Sequence, residues 1–343
     1  MKRNFLLGLC LCCFVCGQSF GQQLPHYTQY VLNTFILNPA VAGIENYTDI
    51  KFSHRHQWVG IDGAPVTTYF TINAPLHKSD YDRQTALGFH SDNENPRGSA
   101  YWQEYEKADP HAGIGFTMLN DRTGPLNRFA AYGTYAYHLG IAPRTSIAAG
   151  ISAGVKNTSL KAGDLKFADP GDLAVSGGGF LNKVKPEMNL GVWLYSANYF
   201  VGLSAQNIIG NELSYAKAVA VDTIKRGKLV PHLFLTTGYR YFLGDDVSFL
   251  PSILFKYIAS TPFSFDVNAK VQYRDIVWTG LSFRYQDSWS AMVGININNA
   301  VNFGYAYDIT TSKLNTVSHG SHEIVIGFLL NNKFGDWCPR NLF

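Results

Sequence analysis

Several groups of side chains in this sequence have types and spacing that could do chemistry, and each falls short of a site. His54 and His56 stand two apart, hence on one face of a strand, as a pair of metal ligands would. Two ligands do not make a metal site, and no third Asp, Glu, His or Cys is placed beside them by spacing, so they read as polar strand residues near a rim. His319, His322 and Glu323 invite the same guess and the same discount. Asp164, Asp169 and Asp172 crowd one segment without the twelve-residue calcium-loop pattern and read as solvated loop acids. Gly177, Gly178 and Gly179 follow no Gly-x-Gly-x-x-Gly order and open no evident helix, so phosphate binding is unsupported. A membrane-barrel enzyme would set a Ser or Asp beside a His at its rim or on its lipid face, and no spacing here singles such a set out. The expectation is a non-enzyme without cofactor or metal.

The strands that would carry these side chains are plainer. From Phe263 to Arg274 two chemistries alternate: Phe263, Phe265, Val267, Ala269, Val271 and Tyr273 on one face, Ser264, Asp266, Asn268, Lys270, Gln272 and Arg274 on the other. That is a β-strand with an apolar and a polar side. The same period recurs near 49–58, 65–75, 112–121, 127–139, 145–158, 188–196, 198–208, 232–243, 247–257, 263–273, 276–285, 289–298, 301–308 and 321–329, fourteen segments with almost no helix between them. Apolar faces are written in Ile147, Ala149, Ile151, Ala153 and Val155, in Trp289, Ala291, Val293, Ile295 and Ile297, and in Ile324, Ile326 and Phe328. The fold class expected is all-β, a transmembrane antiparallel barrel with lipid outside and water inside. Asp266, Lys270 and Arg274 on a polar face would then either line a selective pore or pair with opposite charges inside a filled lumen.

Composition and targeting agree. Lys2 and Arg3, an apolar stretch from Phe5 to Cys16, and the small residues Ser19 and Gly21 describe a secretory signal peptide cut near Gly21. A lipoprotein acylated at Cys16 is the competing reading. Cys10, Cys12, Cys13 and Cys16 leave with the signal, so only Cys338 remains and no intramolecular disulfide can form. Losing Lys2 and Arg3 takes the 28 basic residues to 26 against 25 acidic ones, a balance that calls for no nucleic acid. Past the signal no apolar run approaches the ~20 residues of a spanning helix, so a membrane form must be a closed barrel. Aromatics at 14% nearly match charges at 15%, which suits interfacial girdles.

Connection lengths test the topology. With both termini periplasmic, the even connections are periplasmic and read short at 140–144, 197–198, 244–246, 274–275 and 299–300, while the odd ones include the long 159–187, 209–231 and 309–320. The connection 76–111 breaks the parity and is expected to be an insertion, because one added strand would spoil the even count. Residues 22–48 are too irregular for a strand and form an N-terminal segment that plugs the lumen or lies below it, leaving 49–343 as the barrel. Pro39 stops a helix and Gly43 permits positive φ, as such a segment needs.

Two stretches are more specific: HYTQYVLNTFILNPAVAG from His26 to Gly43, and RHQWVGIDGAPVTTYFTINAPL from Arg55 to Leu76, followed by GIGFTMLNDRTGPLN from Gly113 to Asn127. On Gln29, Tyr30, Asn38, Pro39, Ala40, Ala42 and Gly43, and then Gln57, Trp58, Gly60, Gly63, Ala64 and Pro65, the sequence resembles the PorP/SprF family of outer-membrane proteins of the type IX secretion system. Read from the residues alone, the second motif is a hairpin turned by Gly60, Asp62, Gly63 and Pro65. The resemblance implies an outer-membrane protein that a secreted surface protein, such as an adhesin, needs for export or attachment. It also implies periplasmic secretion or gliding components as partners. The long loops 159–187 and 209–231 are the expected contact surface, with Phe167, Phe180 and Tyr215 as anchors. The alternatives carried are a channel or transporter for a small solute, an enzyme relying on His322, and a soluble sandwich.

Overall fold

A sheet with one apolar and one polar face can hide every backbone hydrogen-bonding group in lipid only by closing on itself. The computed structural model, which describes residues 27–78, 107, 109–161, 181–209, 230–259, 263–274, 276–298 and 300–332, is such a closed antiparallel barrel. Its fourteen strands are β1 (Thr48–His56), β2 (Val66–Leu76), β3 (His111–Thr123), β4 (Leu126–Ala142), β5 (Thr145–Leu160), β6 (Leu181–Ser196), β7 (Tyr199–Gln206), β8 (His232–Tyr239, resuming at Tyr241–Phe242), β9 (Val247–Ile258), β10 (Ser264–Tyr273), β11 (Val277–Arg284), β12 (Ser288–Asn296), β13 (Val301–Thr310) and β14 (Ser321–Leu330). Each pairs with its sequence neighbour. The first and last strands close the ring, with Thr48 opposite Leu330 and His56 opposite His322.

All fourteen segments read from the alternation are strands, and the apolar faces point outward. Val267, Val271, Trp289, Val293, Ile295, Ile324 and Phe328 are exposed on the outer wall. Aromatics crowd both ends of that wall, Tyr239, Tyr241 and Tyr273 at one and Phe263, Tyr285 and Trp289 at the other, as a membrane-spanning barrel requires. Among the described residues no helix is long and apolar enough to cross a membrane, which says nothing of crossing by strands.

Three expectations need correction. Strand β6 begins at Leu181, not 188, because Leu160 to Gly154 of β5 pair with Leu181 to Glu187, so the connection read as 159–187 narrows to 161–180. Arg274 does not share the lumenal face of Asp266 and Lys270. It lies just past β10 at φ 52, exposed, with its guanidinium 3.0 Å from Asp246 in the neighbouring turn. Connections at the end opposite the short turns are also not uniformly long: β3 meets β4 through residues 124–125 and β11 meets β12 through 285–287. The connection 76–111 leaves β2 and β3 direct neighbours, Leu76 opposite Ala112, and residues 79–106 lie outside those described.

The core sits in the lumen. Tyr30, Val31, Leu32, Phe35, Leu37, Ala40, Val41, Ala42 and Ile44 of the N-terminal segment pack with the inward residues Ala136, Ala148, Trp193, Tyr195, Phe200, Phe234, Leu254, Trp278, Met292, Ala306 and Val325 of the wall. The inward charges pair locally. Arg284 grips Asp266 at 3.1 Å and Asp287 at 3.1 Å, and the Lys270 ammonium sits 4.8 Å from the centre of the Trp278 ring.

Candidate functional site

The segment 27–47 descends through the lumen from the long-loop end to the short-turn end, where β1 starts. It advances in three short 3-10 turns, Gln29–Val31, Thr34–Ile36 and Pro39–Val41. The turns are kept apart by the non-helical backbone of Asn33 and Asn38, both at φ −138, and Pro39 has no N–H with which to continue the second turn. The last turn is capped instead by Asn38, whose side-chain oxygen accepts from the Ala40 N–H at 3.0 Å while Pro39 occupies the first helical position.

Its fastenings run the height of the barrel. Near the long-loop end, the Glu323 carboxylate accepts from the Thr28 N–H at 2.8 Å, and the Gln29 amide donates to the Glu323 carbonyl at 2.8 Å. Thr28 Oγ1 donates to Asp308 at 2.8 Å, and Arg55 binds Thr28 Oγ1, Glu323 and Asp308 together. These charges are nearly fully buried, and their mutual bonding is what makes their burial tolerable. At mid-height Asn33 donates to Thr71 Oγ1 at 2.8 Å and Asn268 donates to the Tyr30 hydroxyl. Lower down, the Asn38 amide donates to the Val192 carbonyl at 3.0 Å and the Leu203 carbonyl at 3.1 Å, and Ser204 and Gln206 donate to the Leu37 carbonyl at 2.7 and 3.0 Å. At the short-turn end the backbone of 42–44 is gathered by His138 Nε2 on the Ala42 carbonyl (2.8 Å), His111 Nε2 on the Gly43 carbonyl (3.1 Å), Lys78 on the Ile44 carbonyl (2.9 Å), and Asn73, which accepts from the Gly43 N–H (3.1 Å).

Glycines in the wall make room for the motif. A Cβ at Gly113 would overlap the Ala42 carbonyl oxygen, one at Gly150 would lie 2.5 Å from the Ala40 nitrogen, and one at Gly191 would overlap the Asn38 side chain. Gly43 itself has φ +77, the left-handed region that glycine adopts at little cost, and meets Gly113 backbone to backbone. Asn38, Pro39, Ala40 and Gly43 therefore form one docking surface against β3, β5 and β6. Beside the segment remains a cavity of about 30 Å³, lined by Tyr27, Tyr30, Lys256, Asp266 and Arg284, with room for one or two waters.

The second motif sits at the long-loop end as the loop 57–65. Gln57 N–H donates to the Pro65 carbonyl at 2.9 Å, closing it at its base. Val59 and His319 join it to the connection before β14 (Val59 N to Gly320 O 2.9 Å, His319 N to Val59 O 2.7 Å), and Gly124 N–H donates to the Gly63 carbonyl at 2.8 Å. Trp58, Gly60 and Gly63 all have positive φ, so Gly60 and Gly63 are the residue type that the turn demands. Ala64 and Pro65 lead into β2.

The candidate ligand sets do not assemble. His54, His56 and His322 lie on the outer wall, Glu323 points into the lumen, and His319 is in the loop against Gly60. No group of three or more metal-ligating side chains occurs among the described residues. Asp164, Asp169, Asp172, Gly177 to Gly179, Phe167, Phe180, Tyr215 and the five cysteines lie outside the described residues, as do residues 1–26, where the signal peptide is expected. Sequence reasoning missed Arg55 and Asp308. Asp308 carried a signal as the one charge among the inward residues Asn302, Gly304, Ala306 and Thr310 of β13, whereas Arg55 shares the inward face of β1 with Asp49 and Lys51 and stands out only once the inward faces of β1, β13 and β14 are superposed.

A family model described as type IX secretion system membrane protein PorP/SprF matches residues 19–328. No curated protein matches this chain. Solved structures with similar folds include the CymD monoaromatic hydrocarbon channel (11% identity, 91% of this chain and 94% of that one, TM-score 0.49). A FadL homologue of Pseudomonas aeruginosa (8% identity, 91% and 95%, TM-score 0.46) and Omp33 of Acinetobacter baumannii (9% identity, 84% and 100%, TM-score 0.44) are similar in the same degree. At these scores the likeness carries no functional argument.

Proposed function

This chain belongs to the PorP/SprF family of type IX secretion system membrane proteins, and from that premise we propose that it acts by binding and not by turnover. It is a plugged outer-membrane barrel that serves the export or cell-surface attachment of a cognate type IX-secreted protein, an adhesin being the kind expected. The observation that carries this reading is the lumen: residues 27–47 cross it from the long-loop end to the short-turn end, fastened to the wall at every level by hydrogen bonds. A passage so filled suits a holder better than a steady solute channel, leaving the long connections 161–180 and 207–231 as the surface for the exported partner. Phe167, Phe180 and Tyr215 are the aromatic anchors assigned there. Asn38, Pro39, Ala40 and Gly43 would hold the plug, and Gln57, Trp58, Gly60, Gly63, Ala64 and Pro65 would shape the rim. The leader is cleaved near Gly21, and periplasmic secretion or gliding components meet the short-turn end.

The test deletes the gene and compares surface and secreted proteins. Loss of one large exported protein from the surface, restored by the intact gene, is the expected result; an unchanged surface proteome overturns the reading. Planar-bilayer recordings separate the rival: a steadily open pore in the purified protein would mark a small-solute channel.

A further inference from the structure

On three adjacent strands the outer wall changes from aliphatic and Phe side chains to His and Tyr towards the long-loop end. Going towards the long-loop end, β1 shows Ile50 and Phe52 and then His54 and His56; β14 shows Phe328, Ile326 and Ile324 and then His322; β13 shows Val301 and Phe303 and then Tyr305 and Tyr307. The change is staggered by one outward position, since His54 and Tyr305 both stand opposite Ile324 while His56 and Tyr307 stand opposite His322, and the exposed Ile309 follows Tyr307 on β13; imidazole and aromatic rings gathered at this height mark the approach to the headgroups. The five polar side chains form one patch. His56 and Tyr307 both stand opposite His322, on either side of it. The Tyr305 hydroxyl lies 2.7 Å from His322 Nδ1, and the Tyr307 ring centroid lies 5.0 Å from that of His322. His54 Nδ1 lies 2.9 Å from Thr68 Oγ1.

These contacts use one nitrogen each of His54 and His322, whose Nε2 atoms take no hydrogen bond among the described residues, and the exposed His56 engages no described side chain. Imidazole N–H groups at the edge of hydrocarbon need acceptors, and water is scarcer there than at an ordinary protein surface. Inside the wall at this level Arg55 is consumed by Asp308 and Glu323, so it does not turn its charge to this face.

We propose that His54, His56 and His322, framed by Tyr305 and Tyr307, form a site on the outer wall for the phosphate of a membrane lipid headgroup in the leaflet around the long-loop end. The acyl chains would lie along Phe52, Ile324 and Phe328 below. The three imidazoles match the several oxygens of a phosphomonoester, and charge-assisted hydrogen bonds are the strong kind at an interface.

The experiment titrates the full chain in detergent micelles with bisphosphorylated lipid A, with the same lipid freed of phosphate, and with inorganic phosphate as competitor, reading bound lipid by native mass spectrometry. The wild type should retain the phosphorylated lipid and not its phosphate-free form. His54→Gln/His56→Gln/His322→Gln should weaken retention by about tenfold or more, the loss of at least one hydrogen bond to a charged group. If the triple variant fails to fold, judged by its gel shift before and after heating, His56→Gln alone should still weaken retention, because its ring supports nothing else described. Equal binding of the phosphate-free lipid, equal binding by a folded variant, or displacement by millimolar inorganic phosphate overturns the assignment.

Discussion

Replacing Gly113 with Ala adds one carbon at the place where the wall of β3 touches the plug. That carbon would overlap the Ala42 carbonyl oxygen and stand 2.5 Å from the Ala42 carbonyl carbon and 2.9 Å from Gly43 Cα. All three are backbone atoms, so no side chain can swing aside and the segment 42–43 must withdraw. Withdrawal breaks the bonds from His138 to Ala42 O, from His111 to Gly43 O and from the Gly43 N–H to Asn73. At about 1 kcal/mol each, this is about 3 kcal/mol of lost docking, or roughly a hundredfold rise in the undocked fraction. Planar-bilayer recording reads that fraction as opening events, and the temperature at which the folded gel band disappears reads the barrel. Gly133→Ala is the control, since a Cβ there meets nothing within 4 Å. The expected outcome is frequent openings in Gly113→Ala with the barrel still folded, and none beyond wild type in Gly133→Ala. A Gly113→Ala protein as quiet as wild type would refute the claim that plug and wall meet backbone to backbone at this glycine.

Other perturbations reach the remaining fastenings. Asn38→Ala removes the bonds to the Val192 and Leu203 carbonyls and the cap on Ala40, and should cost about 2–3 kcal/mol of plug docking, seen as faster proteolysis of the N-terminal segment in the folded barrel. Glu323→Gln and Asp308→Asn share Arg55, so a double-mutant cycle on thermal stability should show a coupling of about 0.5–3 kcal/mol rather than additivity. Gly60→Ala places a side chain at φ +99, with its Cβ 2.6 Å from His319 Nδ1; it should cost about 1–2 kcal/mol and open the loop 57–65 to protease while leaving the bilayer recordings quiet.

The strands were legible because their cause is local. Side chains alternate with period 2, and a wall between lipid and lumen must write that period in every crossing, so Trp289 to Ile297 or Ile147 to Val155 announces its outer face without reference to any partner. Chain breakers were legible for the same reason: Pro39, Gly43, Gly60 and Gly63 act through their own backbone. The start of β6 was not, because Lys183, Lys185 and Pro186 look like loop residues and become strand only by pairing with β5. Arg274 deceived in the other direction, continuing an alternation that the backbone abandons at a positive φ.

What the sequence determined by itself was therefore the barrel, its outer face and the irregularity of the segment before β1, all consequences of neighbours along the chain. The tertiary structure alone decided that this segment threads the lumen, that Arg55 meets Asp308 and Glu323 across 253 and 268 residues of chain, and that Gly113, Gly150 and Gly191 leave the space it occupies. It alone set His54 and His56 beside His322 on the outer wall. Closure of the ring brings β1 against β14, and no local pattern records which inward or outward residues that single event makes neighbours.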